Sequence, residues 1–410
     1  MPYLKKLKSI QKNARLYLMS NFLAAIGFSI FFVIFNIYLR KIGISTAHIG
    51  MINAAFPWGL AFFIFISGII SDNIGRKKSF ILGIWIEASM LLLLILTKNP
   101  YLMMGAAFFQ GMGSSFFIVS EAPFLTESSS SFERTHLFSF SFSALIIGDF
   151  IGSLLSGFLP SILSKSEIIG MKYTLFTGVI ILFASSFFLY QLNENWQKTK
   201  KKINFNMFFE PFKALKKDYK KLKIVIIFAA TNLMLGAGAG LIIPFFNLYF
   251  KDRFQLPISS IGIIFSIGSI ITATGTLIAP VVKERFGAIK AIVLMQALSL
   301  PFILVLAFTK KTYLAITSYF TRGALMNAAV PINQNTYMEL VPEDIRASAV
   351  SLTEMSWNIS WGIAASISGM LIGRFGYTLP ILLMFVFYFS GVLFFYINMR
   401  NYKITDEKGS

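Results

Sequence analysis

Four ionisable side chains fall inside long apolar runs of this sequence: Glu87, Asp149, Arg322 and Glu354. A charge at the centre of a bilayer costs about 2.5–3.5 kcal/mol on insertion scales, so such groups usually face a water-filled cavity and pair. At the rise of an α-helix, Arg322 lies about 15 Å below the outer end of its run, and Asp149 about 18 Å from the inner end of its own. The two therefore sit at similar depth, and Asp149 and Glu354 are the candidate counter-charges or proton carriers. Glu354, Trp357, Asn358 and Trp361 fall at i, i+3, i+4 and i+7, one stripe of a helix. Flat apolar rings beside polar groups suit an amphipathic, ring-bearing or cationic molecule; packing against span 2 is the competing explanation for that face. Gln110, Asn36, Asn247, Tyr249, Asn333 and Asn335 are further hydrogen-bonding candidates, although polar residues also join helices to one another in membranes.

The chemistry on offer is binding and proton handling, not catalysis. No Ser-His-Asp arrangement and no phosphate-cradling glycine loop occurs, so a membrane enzyme or an ATP-driven pump has no support. Cysteine is absent and histidine is limited to His48 and His136. Thiolate and histidine-rich metal sites are thereby excluded, and no cofactor is expected.

The elements that must position these groups are membrane helices. The chain is 56% hydrophobic and only 13% charged, against about 25% charged in soluble domains. Twelve apolar runs of about 20 residues read as spans. With the N-terminus inside, the inner segments hold 26 of the 37 Lys and Arg residues and the outer loops 10. That distribution obeys the positive-inside rule, so the net charge of +19 needs no nucleic acid to explain it. The first run follows Lys5, Lys6, Lys8 and Lys12, contains Asn21 and lacks a small-residue cleavage site, which marks an uncleaved span and not a signal peptide.

The expected organisation is a cytoplasmic N-terminus at 1–15, six spans over 16–192, a basic inner linker at 193–223, six spans over 224–398 and a cytoplasmic tail at 399–410. Both termini lie inside. The linker carries ten lysines, each worth about 1 kcal/mol beside anionic lipid. Phe212, Leu215, Tyr219 and Leu222 follow Pro211 at helical spacing, which predicts a short helix on the inner leaflet; a tether with basic anchoring is the plainer reading.

The two six-span stretches are copies. Gly50 answers to Gly262 at a separation of 212 residues, and the same separation joins Gly75 to Gly287, Glu127 to Glu339, Arg134 to Arg346 and Gly157 to Gly369. A duplicated membrane half implies two bundles with a substrate path between them.

Between spans 2 and 3 stand Gly68, Asp72, Gly75, Arg76 and Lys77, with Asn73 inside the run. This resembles the G-x-x-x-D-x-x-G-R-K signature of the major facilitator superfamily of secondary transporters, apart from Asn73, where the family usually has Arg or Lys. A weaker copy, Glu284 to Lys290, sits between spans 8 and 9; Glu284 takes the place of Asp72 and Ala288 has lost the Arg. Glu339, Pro342 and Arg346 look like an E-x-x-P-x-x-x-R element of several branches of that family, and Glu127 and Arg134 occupy the equivalent positions without the Pro.

The resemblance implies an all-α membrane protein of twelve transmembrane helices in two six-helix pseudo-symmetric bundles. Spans 1, 4, 7 and 10 would line the cavity, 2, 5, 8 and 11 would flank it, and 3, 6, 9 and 12 would be peripheral, so Arg322 would point into the path and Glu87 would not. Glu127, Arg134, Glu339 and Arg346 would join Asp72 and Arg76 in ion pairs closing the cytoplasmic gate; ordinary inner-loop charge is the alternative. Such exposed pairs contribute about 0–1 kcal/mol each, small enough to break and reform.

Length and short outer loops look like the twelve-span proton-coupled drug exporters of the family. Gln110, Gly111 and Gly113 match part of their R-x-x-Q-G-x-G motif, but Ala107 replaces the Arg; Gly148, Asp149 and Gly152 stand where G-P-x-x-G-G would lie. Arg322, equivalent in position to Gln110, would supply the missing positive charge. The expected activity is proton-antiport efflux of small amphipathic compounds by alternating access, by a monomer in the plasma or inner membrane. Uptake symport of a sugar, organic anion or peptide, movement of a lipid between leaflets, and ligand sensing without turnover are the alternatives, and Arg322 favours an anionic substrate in the first of them.

Overall fold

A computed structural model describes residues 12–129, 131–193, 219–341 and 346–402. Most of the linker, where the interfacial helix is expected, lies outside the described residues. Thirteen α-helices occupy the described chain: α1 (Lys12–Lys41), α2 (Thr46–Ile74), α3 (Arg76–Leu96), α4 (Pro100–Glu127), α5 (Ser131–Leu163), α6 (Glu167–Tyr190), α7 (Tyr219–Ile242), α8 (Phe246–Phe254), α9 (Ile258–Phe286), α10 (Ala288–Phe308), α11 (Thr312–Leu340), α12 (Arg346–Phe375) and α13 (Thr378–Met399). Helices α7 and α8 are one span broken by a 3₁₀ turn at Ile243–Phe245, where Pro244 lacks the N–H that would continue the ladder. Local signals set the ends. Ser45 accepts the His48 N–H at the start of α2, and Asn99 caps α4 by accepting the Tyr101 N–H at 2.9 Å, just before Pro100.

Ten of these segments, counting α7 with α8 as one, are long and apolar enough to cross a membrane. The two that are long but too polar are α11 and α12, which carry Arg322 and the Glu354–Trp361 stripe. Large apolar side chains such as Phe62, Ile180, Phe187 and Leu277 stay exposed, as helices solvated by lipid require.

The described residues fall into two compact units. The first comprises 12–193 together with Asn247–Ser269; the second comprises 219–246, 270–341 and 346–402. Thus Asn247–Ser269, read from sequence as part of the second half, packs with the first unit. In that unit α1 packs on α5 and α6, α3 on α4 and α6, and α5 on α6. The second repeats the plan: α7 packs on α12 and α13, α10 on α11 and α13, and α12 on α13. The duplication in the sequence is therefore a duplication of helix pairing. Aromatic clusters fill both interiors, Tyr17, Phe80 and Phe124 in one and Phe228, Tyr337 and Phe395 in the other, with ring centroids 4.6–5.4 Å apart.

Gly75 and Gly287 show the same equivalence at the level of the backbone. Their φ angles are +91° and +76°, and each ends one helix and begins the next. A side chain is strained in that region, which explains glycine at both positions.

Candidate functional site

Arg322 occupies the middle of α11 and is only 5% exposed. The break in the seventh span brings Phe246 back across it: the guanidinium carbon lies 5.4 Å from the Phe246 ring centroid. Tyr319, one turn earlier on α11, meets Phe246 edge-on at 4.9 Å and feels the Arg322 charge. Tyr388 reaches in from α13, and its hydroxyl interacts with the guanidinium. That reach depends on Gly238 of α7, where a Cβ would stand 2.5 Å from the Tyr388 ring. Arg322 Nε is buried and has no hydrogen-bond partner. Among the described residues no carboxylate of the second unit, Glu354 included, forms an ion pair with Arg322 here. The ring offsets part of the cost of burying the cation, by about 2 kcal/mol or more when desolvated, but leaves Nε unfilled.

On α12, Glu354 is exposed, while Trp357, Asn358 and Trp361 are half-buried. The Asn358 amide donates to the Glu354 carbonyl at 2.9 Å, and the two indoles lie 5.7 Å apart. The backbone at Trp357 and Trp361 presses on Gly236 and Gly240 of α7, so the helix is seated by its backbone there.

In the first unit Gln110 joins a cluster that spacing alone does not reveal. Glu87 of α3, 3% exposed, accepts a hydrogen bond from Ser114 of α4 and interacts with Gln110. Among the described residues it pairs with no cation. The neighbouring glycines serve close approach: Gly111 abuts the Phe56 carbonyl of α2, and Gly113 abuts the backbone of Gly83 and Glu87. Asp149 of α5 is half-buried; its backbone carbonyl accepts the Ser29 hydroxyl at 2.9 Å, and Gly148 and Gly152 seat α5 on α1. Glu121, overlooked in the sequence because it lies near a span end, accepts from Ser141 at 2.9 Å, and Asn21 donates to Ser141 at 3.0 Å, linking α1, α4 and α5.

The motif turns hold several charged contacts. Arg76 binds Asp72 at 2.8 Å, donates to Ser71 at 2.8 Å and lies 3.9 Å from Glu127. Lys77 donates to the Leu192 carbonyl at 2.7 Å, Gly68 has open space around it, and Arg134 is exposed. In the second unit the counterpart of the Asp72–Arg76 pair cannot form, because Ala288 stands in place of Arg76. Glu284 is exposed, and Lys283 meets Glu339 at 3.7 Å. The side chain of Arg346 lies outside the described residues.

At the opposite ends of the same helices, Asn247–Ser269 is latched to the first unit. The Asn247 amide donates to the carbonyls of Phe32 and Val33 at 3.2 and 2.9 Å. Arg40 lies 3.9 Å from Asp252, and Glu167 binds Lys41 at 2.8 Å and Lys251 at 3.4 Å. Ser266 donates to the Phe150 carbonyl at 2.9 Å, and Gly157 of α5 touches Gly262 of α9 backbone to backbone. Asn247 is thus engaged with α1, and Tyr249 is buried among Phe250, Phe254 and Arg253. Asn36 is buried on α1. Of the partners around Arg322, Tyr319 was discoverable at helical spacing; Phe246 and Tyr388 come from distant segments and carry no sequence signal.

Known proteins share this fold. A family model described as Major Facilitator Superfamily matches residues 17–236 and 228–409. No curated protein matches the chain. A bacterial homologue of the human lysosomal transporter Spinster, in an inward-facing and occupied conformation, superposes with a TM-score of 0.76 at 12% identity, over 98% of each chain. The nucleoside transporter NupG gives 0.75 at 18% identity, over 96% of this chain and all of its own. The human organic anion transporter MFSD10 gives 0.63 at 11% identity, over 94% and 99%. At such identities these likenesses establish the fold alone.

Proposed function

Because this chain belongs to the Major Facilitator Superfamily and is a multi-pass membrane transporter and not an enzyme, we propose that it exports small amphipathic compounds in exchange for protons. One observation carries the amphipathic part. The two helices too polar to qualify as ordinary spans, α11 and α12, hold Arg322 with its aromatic surround and the Trp357–Trp361 pair. Polar and ionisable groups at membrane depth are tolerated where they face a cavity or a solute.

Asp149 and Glu354 are the proposed proton carriers, being carboxyls at depth without an ion-pair partner among the described residues. The driving force is sufficient: at roughly 150 mV one charge crossing supplies about 3.5 kcal/mol, equal to a gradient of a few hundred-fold. On this reading the contacts of Asn247–Ser269 within the first unit lie at the proposed outer ends of the helices, and the Asp72–Arg76–Glu127 and Lys283–Glu339 contacts at the proposed cytoplasmic ends. The N-terminus and tail face the cytoplasm of a cell whose plasma or inner membrane holds the protein. Transport of a fluorescent amphiphile into inverted membrane vesicles tests the coupling. Uptake into the lumen is expected when the lumen is acidified, with Asp149→Asn and Glu354→Gln reducing it; indifference to the pH gradient overturns it.

A further inference from the structure

We infer that Arg322 anchors an anion site, and that the transported amphiphile carries a carboxylate, sulfonate or phosphate beside an aromatic or other flat apolar body. The inference rests on the transport reading above and adds the substrate's charge. A guanidinium offers five N–H donors in a rigid fork and has no acceptor of its own. A purely structural arginine at this depth would spend those donors on carbonyls or carboxylates. Arg322 meets the Tyr388 hydroxyl, a neutral partner, yet its Nε is sealed from solvent without an acceptor, and no ion pair of Arg322 forms among the described residues. A partner that supplies an acceptor oxygen at Nε together with negative charge would complete the group.

The surroundings specify the rest of the molecule. Phe246 covers the guanidinium at 5.4 Å and Tyr319 meets that ring at 4.9 Å, so the surface next to the charge is aromatic. Tyr388, held by the space at Gly238, contributes a hydroxyl beside the guanidinium. A carboxylate taken side-on would satisfy Nε together with one terminal nitrogen, the geometry in which arginine outperforms lysine. An inorganic anion would fill the fork but leave the rings unused. A neutral or cationic amphiphile would use the rings but leave the charge uncompensated.

Purified full-length protein, titrated in a thermal-shift assay with 2-naphthoate, 2-naphthalenesulfonate, 2-naphthamide and sodium benzoate, separates these cases. The naphthyl anions are expected to raise the melting temperature and to bind roughly tenfold or more tighter than the amide, as a lost charged hydrogen bond would give. Benzoate, with a smaller ring, should fall between. Arg322→Lys should keep the fold and the charge while removing most of the anion preference. Tyr388→Phe, which leaves Arg322 in place, should weaken the anions alone. Equal stabilisation by naphthoate and naphthamide, no stabilisation by any anion, or an anion preference that survives in folded Arg322→Gln would overturn the inference. Continued vesicle extrusion of neutral or cationic amphiphiles alongside such a result would leave the transport reading standing; anion binding with no flux of any probe would do the reverse.

Discussion

Replacing Gly262 with alanine drives a methyl group into α5. The added Cβ would stand 2.6 Å from the Ser153 carbonyl oxygen, 2.7 Å from Gly157 Cα and 2.9 Å from Gly157 N. Carbon contacts are optimal at about 3.5–4.0 Å, so α9 must withdraw by about 1 Å. All three neighbours are backbone atoms and cannot rotate aside. Overpacking of this kind costs about 1–3 kcal/mol, which amounts to roughly 5–150-fold against the latched state. The other ties of Asn247–Ser269 are the exposed or half-exposed ion pairs Arg40–Asp252 and Lys251–Glu167, each worth about 0–1 kcal/mol, and the hydrogen bonds of Asn247 and Ser266 to carbonyls of α1 and α5, each worth about 0.5–1.5 kcal/mol, so a loss of this size is a large share of what holds the segment. Because the chain has no cysteine, spin labels placed at Lys165→Cys and Gln255→Cys report on the latch without background. Pulsed-EPR distances should show one short population in the parent and a second, longer one in the alanine variant. An unchanged distribution in a folded variant would refute the idea that Asn247–Ser269 is a separable latch.

Other perturbations follow from the same contacts. Gly75→Ala forces a side chain into φ +91°, at a cost on the order of 1–3 kcal/mol, and should lower the melting temperature more than Gly68→Ala, which meets open space. Arg76→Gln removes the 2.8 Å partner of Asp72 and the contact with Glu127; proteoliposome flux is expected to fall severalfold while helicity by circular dichroism stays constant. Glu87→Gln keeps an oxygen for Ser114 and should be nearly neutral in thermal unfolding, whereas Glu87→Leu strands Ser114 and Gln110, losing about 1–3 kcal/mol. Gly238→Ala pushes on the Tyr388 ring from 2.5 Å and should weaken naphthoate binding in the thermal-shift titration without altering benign surface properties such as detergent monodispersity.

Much of the architecture is written in short-range terms and was legible. Apolar runs, charge asymmetry and the 212-residue repeat lead to two sets of helices with matching partners, and Gly75 and Gly287 share a backbone conformation as their equivalence demands. Contacts between distant segments were less accessible. Asn247 reads as a ligand-binding amide because its type and span are right, yet its donors go to two carbonyls of α1. The glycines of Gln110-Gly111-x-Gly113 read as a coupling motif, yet they let α2 and α3 approach α4. Glu284 was the expected counterpart of Asp72, but the position equivalent to Arg76 holds Ala288, and the ion pair seen there joins Lys283 to Glu339. Arg322 was found from its charge in an apolar run, while the rings that define its chemistry depend on Pro244 breaking one helix and Gly238 making room against another.

Side-specific labelling of a cysteine at Asn358, on the half-buried stripe of α12, tests alternating access most directly. With a membrane-impermeant maleimide applied to right-side-out and inverted vesicles, the parent should react from both sides, and Gly262→Ala should shift the balance between them. Reactivity confined to one side in both proteins, with both still folded, would contradict the account.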